Sequence, residues 1–185
     1  MTKVIGIDLG TTFSAIASLD DLGNPEVLAS IKDNRKITAS AVYLKGNDDI
    51  VGDKALSYVK DQSKNVILQT KREMENDVVY STDQGKWVSD TDLVEAYTPA
   101  QVSSLILKKL KEYTSDVKKV VITVPAMFAE KARQATLDAA KIADLEVIEL
   151  INEPTAAVLH YASLPGVEVG GRVMIFDLGG GTFDV

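Results

Sequence analysis

Two short stretches with the same order of residue types could hold phosphate groups. Residues 8–12 read Asp-Leu-Gly-Thr-Thr after the apolar run 4–7, and residues 177–182 read Asp-Leu-Gly-Gly-Gly-Thr after the apolar run 173–176. A glycine-rich turn at a strand end exposes backbone N–H groups and lets a phosphate approach closely. An aspartate beside a bound phosphate would repel it unless a cation lies between them. This internal repeat therefore predicts two phosphate loops around a metal–nucleotide complex.

Three acidic residues, Asp8, Glu153 and Asp177, follow predicted strands. Ligands of open α/β sheets bind beyond the carboxyl ends of the strands, so these acids could converge on one cation. Each acid alone is explained more simply as the first solvated residue after a strand, but the duplicated turn favours a functional role for Asp8 and Asp177. Glu153 precedes Pro154 at a predicted helix start, where a carboxylate also stabilises the positive end of the helix.

The other polar candidates give weaker signals. Thr11, Thr12 and Thr182 could bond to phosphate or cap their turns, and the neighbouring glycines favour phosphate. Lys71 lies among several acidic residues, so its surroundings predict a solvated helix face. The only histidine, His160, is expected to be a helix residue without a catalytic role.

Composition excludes several classes of function. The net charge of −7 disfavours nucleic acid or an anionic membrane as the main partner. The absence of cysteine excludes disulfides, zinc–thiolate sites and thiol nucleophiles. The chain lacks GxxxxGK[ST], a complete GxGxxG and GxSxG. Since neither a signal peptide nor an apolar run of transmembrane length is found, we expect a cytoplasmic protein.

The first half of the chain predicts a sheet that is interrupted by an insertion. Strands are expected at 4–8, 13–19 and 26–31 as a meander. Residues 33–92 are more polar and suggest an inserted small subdomain. Within it we expect a strand at 41–44, helices at 53–60 and 65–74, and a hairpin turn at 83–86.

The second half is regular α/β sequence. Thr98, Pro99 and Gln101 form a capping-box pattern at the start of an amphipathic helix. After it we expect a strand at 120–124, an alanine-faced helix at 130–143, a strand at 147–151, a helix from Pro154 to about residue 162, and a strand at 173–176. This alternation predicts parallel pairing with right-handed crossovers.

Four motifs together resemble those of the DnaK-type heat-shock chaperones, the seventy-kilodalton family. They are residues 5–12 (IGIDLGTT), 122–126 (ITVPA), 152–157 (NEPTAA) and 176–184 (FDLGGGTFD), in the family's order. The resemblance implies an actin-like (ribonuclease H-like) ATPase lobe with a mixed sheet, flanking helices and an inserted small α+β subdomain. It implies a discontinuous core at 1–38 and 117–171, an inserted part at 39–116, and the first strand and phosphate loop of a truncated second lobe at 172–185.

The resemblance also implies a site for ATP or ADP. The residues that would hold the phosphates are Gly10, Thr11, Thr12 and the backbone of Phe13 on one side, and Gly179, Gly180, Gly181 and Thr182 on the other. Asp8 and Asp177 would order the water shell of Mg²⁺, and with Thr182 and Asp184 they could hold potassium. Lys71 would orient the attacking water, and Glu153 would position water near the metal. The implied catalytic set is therefore Lys71, Glu153, Asp177 and Thr182.

The implied activity is ATP hydrolysis that switches a chaperone between weak and tight binding of unfolded polypeptides. The implied partners are client polypeptides, bound through another domain, a J-domain co-chaperone and a nucleotide-exchange factor. Pro125 and Arg133 match the family's relay between nucleotide state and client binding. Ala39 and Met127 depart from the family pattern, as do residues 73–76. A sugar kinase or a filament-forming nucleotide-binding protein of the same superfamily is the alternative.

Overall fold

The computed structural model describes residues 4–46, 48–61, 64–89, 92–93, 95–115, 117–180 and 183–184. The strands are β1 (Val4–Asp8), β2 (Phe13–Leu19), β3 (Pro25–Val27), β4 (Thr38–Ala39), β5 (Ala41–Tyr43), β6 (Ile50–Val51), β7 (Val66–Leu68), β8 (Val79–Ser81), β9 (Lys86–Val88), β10 (Ala96–Tyr97), β11 (Lys119–Val124), β12 (Glu146–Asn152), β13 (Asp177–Leu178) and β14 (Phe183–Asp184). The helices are α1 (Asp53–Ser57), α2 (Pro99–Lys111), α3 (Glu130–Ile142) and α4 (Glu153–Ala162), with short 3-10 helices at Tyr58–Asp61 and Thr70–Glu73.

The largest sheet has the strand order β12-β11-β1-β2-β3, and β4 pairs with β2. Strand β11 is parallel to both β1 and β12, whereas β1, β2 and β3 form an antiparallel meander. The sheet is therefore mixed, as expected. Because the carboxyl ends of parallel β1, β11 and β12 meet at one edge, the residues that follow these strands lie close together.

Strand β3 is shorter than its predicted range of 26–31 and ends at Val27. The chain then closes a turn in which Asn34 donates its N–H to the carbonyl of Ser30, and Ser30 donates to that of Arg35. Asn34 has a left-handed φ of 56°, which asparagine tolerates better than most residues. These turn hydrogen bonds replace the ladder bonds that a longer strand would need.

The main core lies where the parallel strands meet the helices. Ile5, Ile7, Val120 and Ile122 are almost completely buried, and each such side chain contributes roughly 1.5–3 kcal/mol by leaving water. Helices α2 and α3 pack against each other. The α2 side chains in the core are Val102, Ile106, Leu107 and Leu110, and the α3 side chains are Ala132, Ala139 and Ala140. Alanines on α3 let the two helices approach closely.

The capping box at the start of α2 is confirmed. Thr98 accepts a hydrogen bond from the N–H of Gln101 at 3.2 Å, and Gln101 accepts one from the N–H of Thr98 at 2.8 Å. Pro99 occupies the first helical position. These contacts satisfy N–H groups that the first turn of a helix leaves without partners.

The helix predicted at 65–74 is wrong. Val66, Ile67 and Leu68 form β7, which pairs with β5, and the chain then breaks at Gln69 with a φ of 55°. The left-handed residue separates β7 from the 3-10 helix Thr70–Glu73. Apolar residues in a run of three fit a strand as well as a helix, and pairing with β5 decides the outcome.

The hairpin turn predicted at 83–86 is confirmed between β8 and β9.

The strand predicted at 173–176 is absent. Met174 and Phe176 are 69% and 67% exposed, and the short β13 pairs only with β14 among the described strands. An apolar run becomes a buried strand only when a neighbouring surface covers it.

None of the helices in the described ranges is long and apolar enough to cross a bilayer.

Candidate functional site

The loop that joins β1 to β2, predicted to be the first phosphate loop, turns at Gly10. A Cβ atom at this position would lie 2.0 Å from the carbonyl oxygen of Phe13, so only glycine fits the turn. The N–H of Gly10 donates to Ser14 Oγ at 3.1 Å. Gly10 therefore shapes the loop, and its N–H points at Ser14.

A cavity of about 870 Å³ lies against this loop. The predicted site residues that line it are Asp8, Gly10, Thr11, Thr12, Phe13, Lys71, Glu153, Asp177, Gly179 and Gly180. Gly181 and Thr182 lie outside the described residues, as does the side chain of Asp184. The structure thus gathers residues from β1, the inserted part, α4 and the C-terminal hairpin around one space.

The two glycine-rich loops touch each other at the cavity, where Thr12 and Gly180 both line it. A Cβ atom on Gly180 would lie 2.0 Å from Thr12 Oγ1 and 2.8 Å from Thr12 Cβ. The second loop therefore approaches the first closely only because residue 180 has no side chain. The duplicated turns therefore lie side by side in the lining of one cavity.

Lys71 forms an ion pair with Glu153 inside this cavity. Lys71 is only 7% exposed, so the solvated helix face predicted from its acidic neighbours is wrong. The 3-10 helix that follows Gln69 places Lys71 in the site, with its ammonium 5.9 Å from the centre of the Phe128 ring. An ammonium over an aromatic face is attracted to it.

The environment of Glu153 raises the pKa of its carboxyl above the ordinary value. Burial is the main cause, and the negative charges of Asp8 and Asp177 add to it, whereas Lys71 acts in the opposite direction. The charges of Asp8 and Asp177 therefore act on Glu153. In the described part of the chain, however, His, Asp and Glu residues form no cluster of three that could ligate a metal directly. The predicted convergence of three acids on one cation is thus not formed by direct contact.

Asp8 is oriented by a residue that the sequence analysis missed. Thr123 donates from Oγ1 to Asp8 Oδ1 at 3.0 Å, because the parallel register of β1 and β11 places the two residues side by side. The sequence does contain a sign of this role: Thr123 lies near the end of the apolar strand β11, at the same sheet edge as Asp8.

Arg133 connects two segments near the site. Its Nε donates to the carbonyl of Phe128 at 3.0 Å, and its Nη2 donates to Asn152 Oδ1 at 2.7 Å. The carbonyl of Pro125 accepts from the N–H of Phe128 at 3.1 Å. Arg133 thus ties the turn that begins at Pro125 to the residue preceding Glu153.

Other residues missed by the sequence analysis surround the first loop and the start of α3. Ser14 and Ser40 bond to each other at 2.9 Å beside Gly10. Glu75 accepts the N–H of Ala129 at 3.0 Å, at the start of α3. Isolated serines and surface glutamates have no distinguishing sequence pattern, so only the contacts in the folded structure show their roles.

The mixed sheet, the flanking helices and the two contacting glycine-rich loops are the features expected of an actin-like ATPase domain. The family model described as Hsp70 protein matches residues 4–185. The chain therefore belongs to the Hsp70 family, and it carries ATP-binding and ATP-hydrolysing domain sequence of a molecular chaperone. This match does not favour the sugar-kinase or filament alternative.

Proposed function

We propose that this site hydrolyses ATP with the help of Mg²⁺ and that hydrolysis controls the binding of unfolded polypeptides. The observation that carries the proposal is the buried ion pair of Lys71 and Glu153 between two glycine-rich loops. Phosphoryl transfer needs positioned charges more than covalent help from the protein. A buried ammonium beside a carboxylate, next to backbone N–H groups, supplies such charges.

Asp8 and Asp177 suit a metal held through water. They line the same cavity as the two glycine-rich loops, yet the described residues lack a direct three-carboxylate ligand set. We propose that the two carboxylates accept hydrogen bonds from the water shell of Mg²⁺. A metal bound in this way would neutralise charge on the phosphates. A potassium ion beside Asp8, Asp177, Thr182 and Asp184 is part of the same proposal.

Lys71 and Glu153 divide the chemistry between them. Lys71 donates to the γ-phosphate and orients the attacking water, while Glu153 accepts a hydrogen bond from water near the metal. Gly10, Thr11, Thr12 and the backbone of Phe13 hold the phosphates from one side, and residues 179–182 hold them from the other. Because Lys71 already binds Glu153, an entering phosphate competes for the ammonium.

Arg133 and Pro125 carry the proposed relay to client binding. The hydrogen bonds of Arg133 to Phe128 and Asn152 support this role, since they connect the turn after Pro125 with the residue beside Glu153. The proposed partners are unfolded polypeptides, a J-domain co-chaperone and a nucleotide-exchange factor. The proposed compartment is the cytoplasm, which is typical of the family.

The division into a core at 1–38 and 117–171, an inserted part at 39–116 and a second lobe from 172 belongs to the same proposal. The strand order supports it, because β1, β2, β11 and β12 share one sheet whereas β5, β6 and β7 form another. We further propose that residues 1–185 by themselves hydrolyse ATP negligibly. The exposed side chains of Val173, Met174 and Phe176 support this, because few contacts then hold the segment that leads to Asp177.

Substitution of Lys71 tests the proposed chemistry in the protein of full natural length. We expect Lys71→Ala to lower steady-state ATP turnover by about 10²–10³-fold, the usual cost of removing one group that stabilises charge in a transition state. Calorimetry should still detect ATP binding. The matched control is Lys45→Ala, because Lys45 is an exposed lysine of the inserted part. Unchanged turnover in Lys71→Ala would overturn the assigned role.

A further inference from the structure

We propose that Ser14 and Ser40 are positioning residues that fix the first phosphate loop for nucleotide binding. The proposal rests on the proposed function of the cavity as an ATP site. Neither serine is among the residues that line the cavity, and both are buried, with 1% and 4% of their surface exposed. They act on the nucleotide only through the backbone of Gly10 and Thr12.

Three hydrogen bonds connect the two hydroxyls to the backbone of Gly10. The N–H of Gly10 donates to Ser14 Oγ at 3.1 Å, and Ser40 Oγ donates to the Gly10 carbonyl at 2.8 Å. The two hydroxyl oxygens lie 2.9 Å apart. The backbone of one residue is thus held on both its donor and its acceptor side.

Hydrogen-bond chemistry fixes the direction of these bonds. A carbonyl only accepts, so Ser40 spends its single proton on Gly10 and must accept from Ser14. Ser14 in turn accepts from Gly10, and the three bonds close a ring that runs in one direction. Hydrogen bonds that follow one another in this way polarise one another in a buried environment, so the loss of one bond weakens the others.

A second contact holds the far end of the same turn. The N–H of Ser40 donates to the carbonyl of Thr12 at 2.8 Å, and β4 pairs with the start of β2 through Phe13 and Ser14. The backbone is therefore held at residue 10 and at residue 12, on either side of Thr11. A loop fixed in this way loses little conformational freedom when it binds an anion.

The ring also connects the phosphate loop to the inserted part of the chain. Ser40 lies between β4 and β5, and its neighbour Thr38 shares a hydrogen bond with the hydroxyl of Tyr113 beyond the end of α2. The geometry of the first loop is thus set by a segment 30 positions away from Gly10. The length and sequence of the loop alone do not determine its shape.

The test uses Ser14→Ala, Ser40→Ala and the double variant in the protein of full natural length. Loss of the ring leaves the backbone of the first loop less well fixed for the phosphates. This weakens phosphate binding equally in the ground state and in the transition state of hydrolysis. We therefore expect KM for ATP to rise about tenfold in each single variant, with kcat within about threefold. The double variant should resemble the single variants, because breaking either hydroxyl already opens the ring.

The matched control is Ser104→Ala, which removes another buried hydroxyl that donates to a backbone carbonyl, that of Gln101, at 2.7 Å. We expect its KM to match that of the unaltered protein. A KM for Ser40→Ala equal to that of the control would overturn the proposal. So would a KM of the double variant that is raised by the product of the two single increases.

Amide hydrogen exchange separates this proposal from the proposed ATPase activity. The N–H of Gly10 should exchange at least about tenfold faster in Ser14→Ala than in the unaltered protein, in the absence of nucleotide. An unaltered protein without ATP turnover would contradict the proposed function even if Gly10 is protected. Unchanged Gly10 exchange in an active protein would contradict the ring alone.

Discussion

Lys71 and Glu153 bind each other directly although they lie 82 positions apart. Lys71 comes from a 3-10 helix of the inserted part, and Glu153 is the first residue of α4. Their contact neutralises an ammonium and a carboxylate in a largely buried place. It also joins the inserted part to the main sheet at the point where the proposed reaction occurs.

The raised pKa of Glu153 predicts how stability depends on pH. The folded protein retains a proton on this carboxyl above pH 4.5, the ordinary value, whereas the unfolded chain loses it. The stabilising contribution is therefore complete below about pH 4.5 and is lost as the pH rises through the folded value. We expect the unfolding free energy of the unaltered protein to fall, relative to that of Glu153→Gln, as the pH rises from 4.5 through the raised pKa of the folded protein.

Urea denaturation of both proteins at several pH values measures this difference. Glu153→Gln keeps the shape of the side chain and an oxygen that can accept from Lys71, but it does not titrate. A stability difference that moves the other way with pH would mean that Lys71 outweighs burial and lowers the pKa of the carboxyl.

Gly180→Ala should weaken nucleotide binding because the new Cβ would overlap Thr12. The added methyl group would lie 2.8 Å from Thr12 Cβ, which rotation of the threonine does not relieve, so the two loops must separate. We expect the dissociation constant for ATP to rise about tenfold or more, as measured by calorimetry. Gly170→Ala is the control, since its Cβ meets no atom within 4 Å. Equal affinities in the two variants would show that the loops need no close approach.

Arg133→Lys should uncouple client binding from ATP turnover. A lysine ammonium lacks the planar fork that reaches Phe128 and Asn152 together. We expect stimulation of turnover by an unfolded polypeptide to fall about tenfold, with basal turnover within about twofold. Lys131→Ala on the same helix is the control, because its ion pair with Asp77 is exposed and contributes little. Normal stimulation of Arg133→Lys would remove this residue from the relay.

Glu75→Ala should destabilise the start of α3. Ala129 occupies the N-cap position without a side-chain cap of its own, and Glu75 accepts its N–H instead. Loss of this contact should lower the unfolding free energy by about 1 kcal/mol, the usual effect of losing a helix cap. Glu168→Ala, in the exposed connection after α4, is the control in urea denaturation. A loss no larger than that of the control would assign no capping role to Glu75.

Local patterns predicted those parts of the fold that depend on near neighbours. The capping box at Thr98 and the apolar periodicity after it were enough for α2, and the alternation of apolar residues was enough for β2. The run at 173–176 has the same apolar character, but strand formation there depends on a covering surface. Sequence patterns do not report whether such a surface is present.

In the candidate site, too, the sequence predicted the features that depend on near neighbours but not those that depend on distant segments. The repeated Asp-Leu-Gly turns were visible in the sequence, and the loops that follow them touch at Thr12 and Gly180. The burial of Lys71 depends on the left-handed Gln69 and on contact with Glu153, so only its resemblance to the family selected it. Ser40 was missed because its partners, Gly10 and Ser14, lie in a distant segment.

The position of β1 in the sheet has a consequence for synthesis on the ribosome. One edge of β1 pairs with β2 a few residues later, but the other waits for β11, which brings Thr123 to Asp8 only 115 positions further on. Throughout that interval the nascent chain carries a central strand with an open edge. While it is being made, this chaperone sequence is itself the kind of polypeptide that chaperones bind.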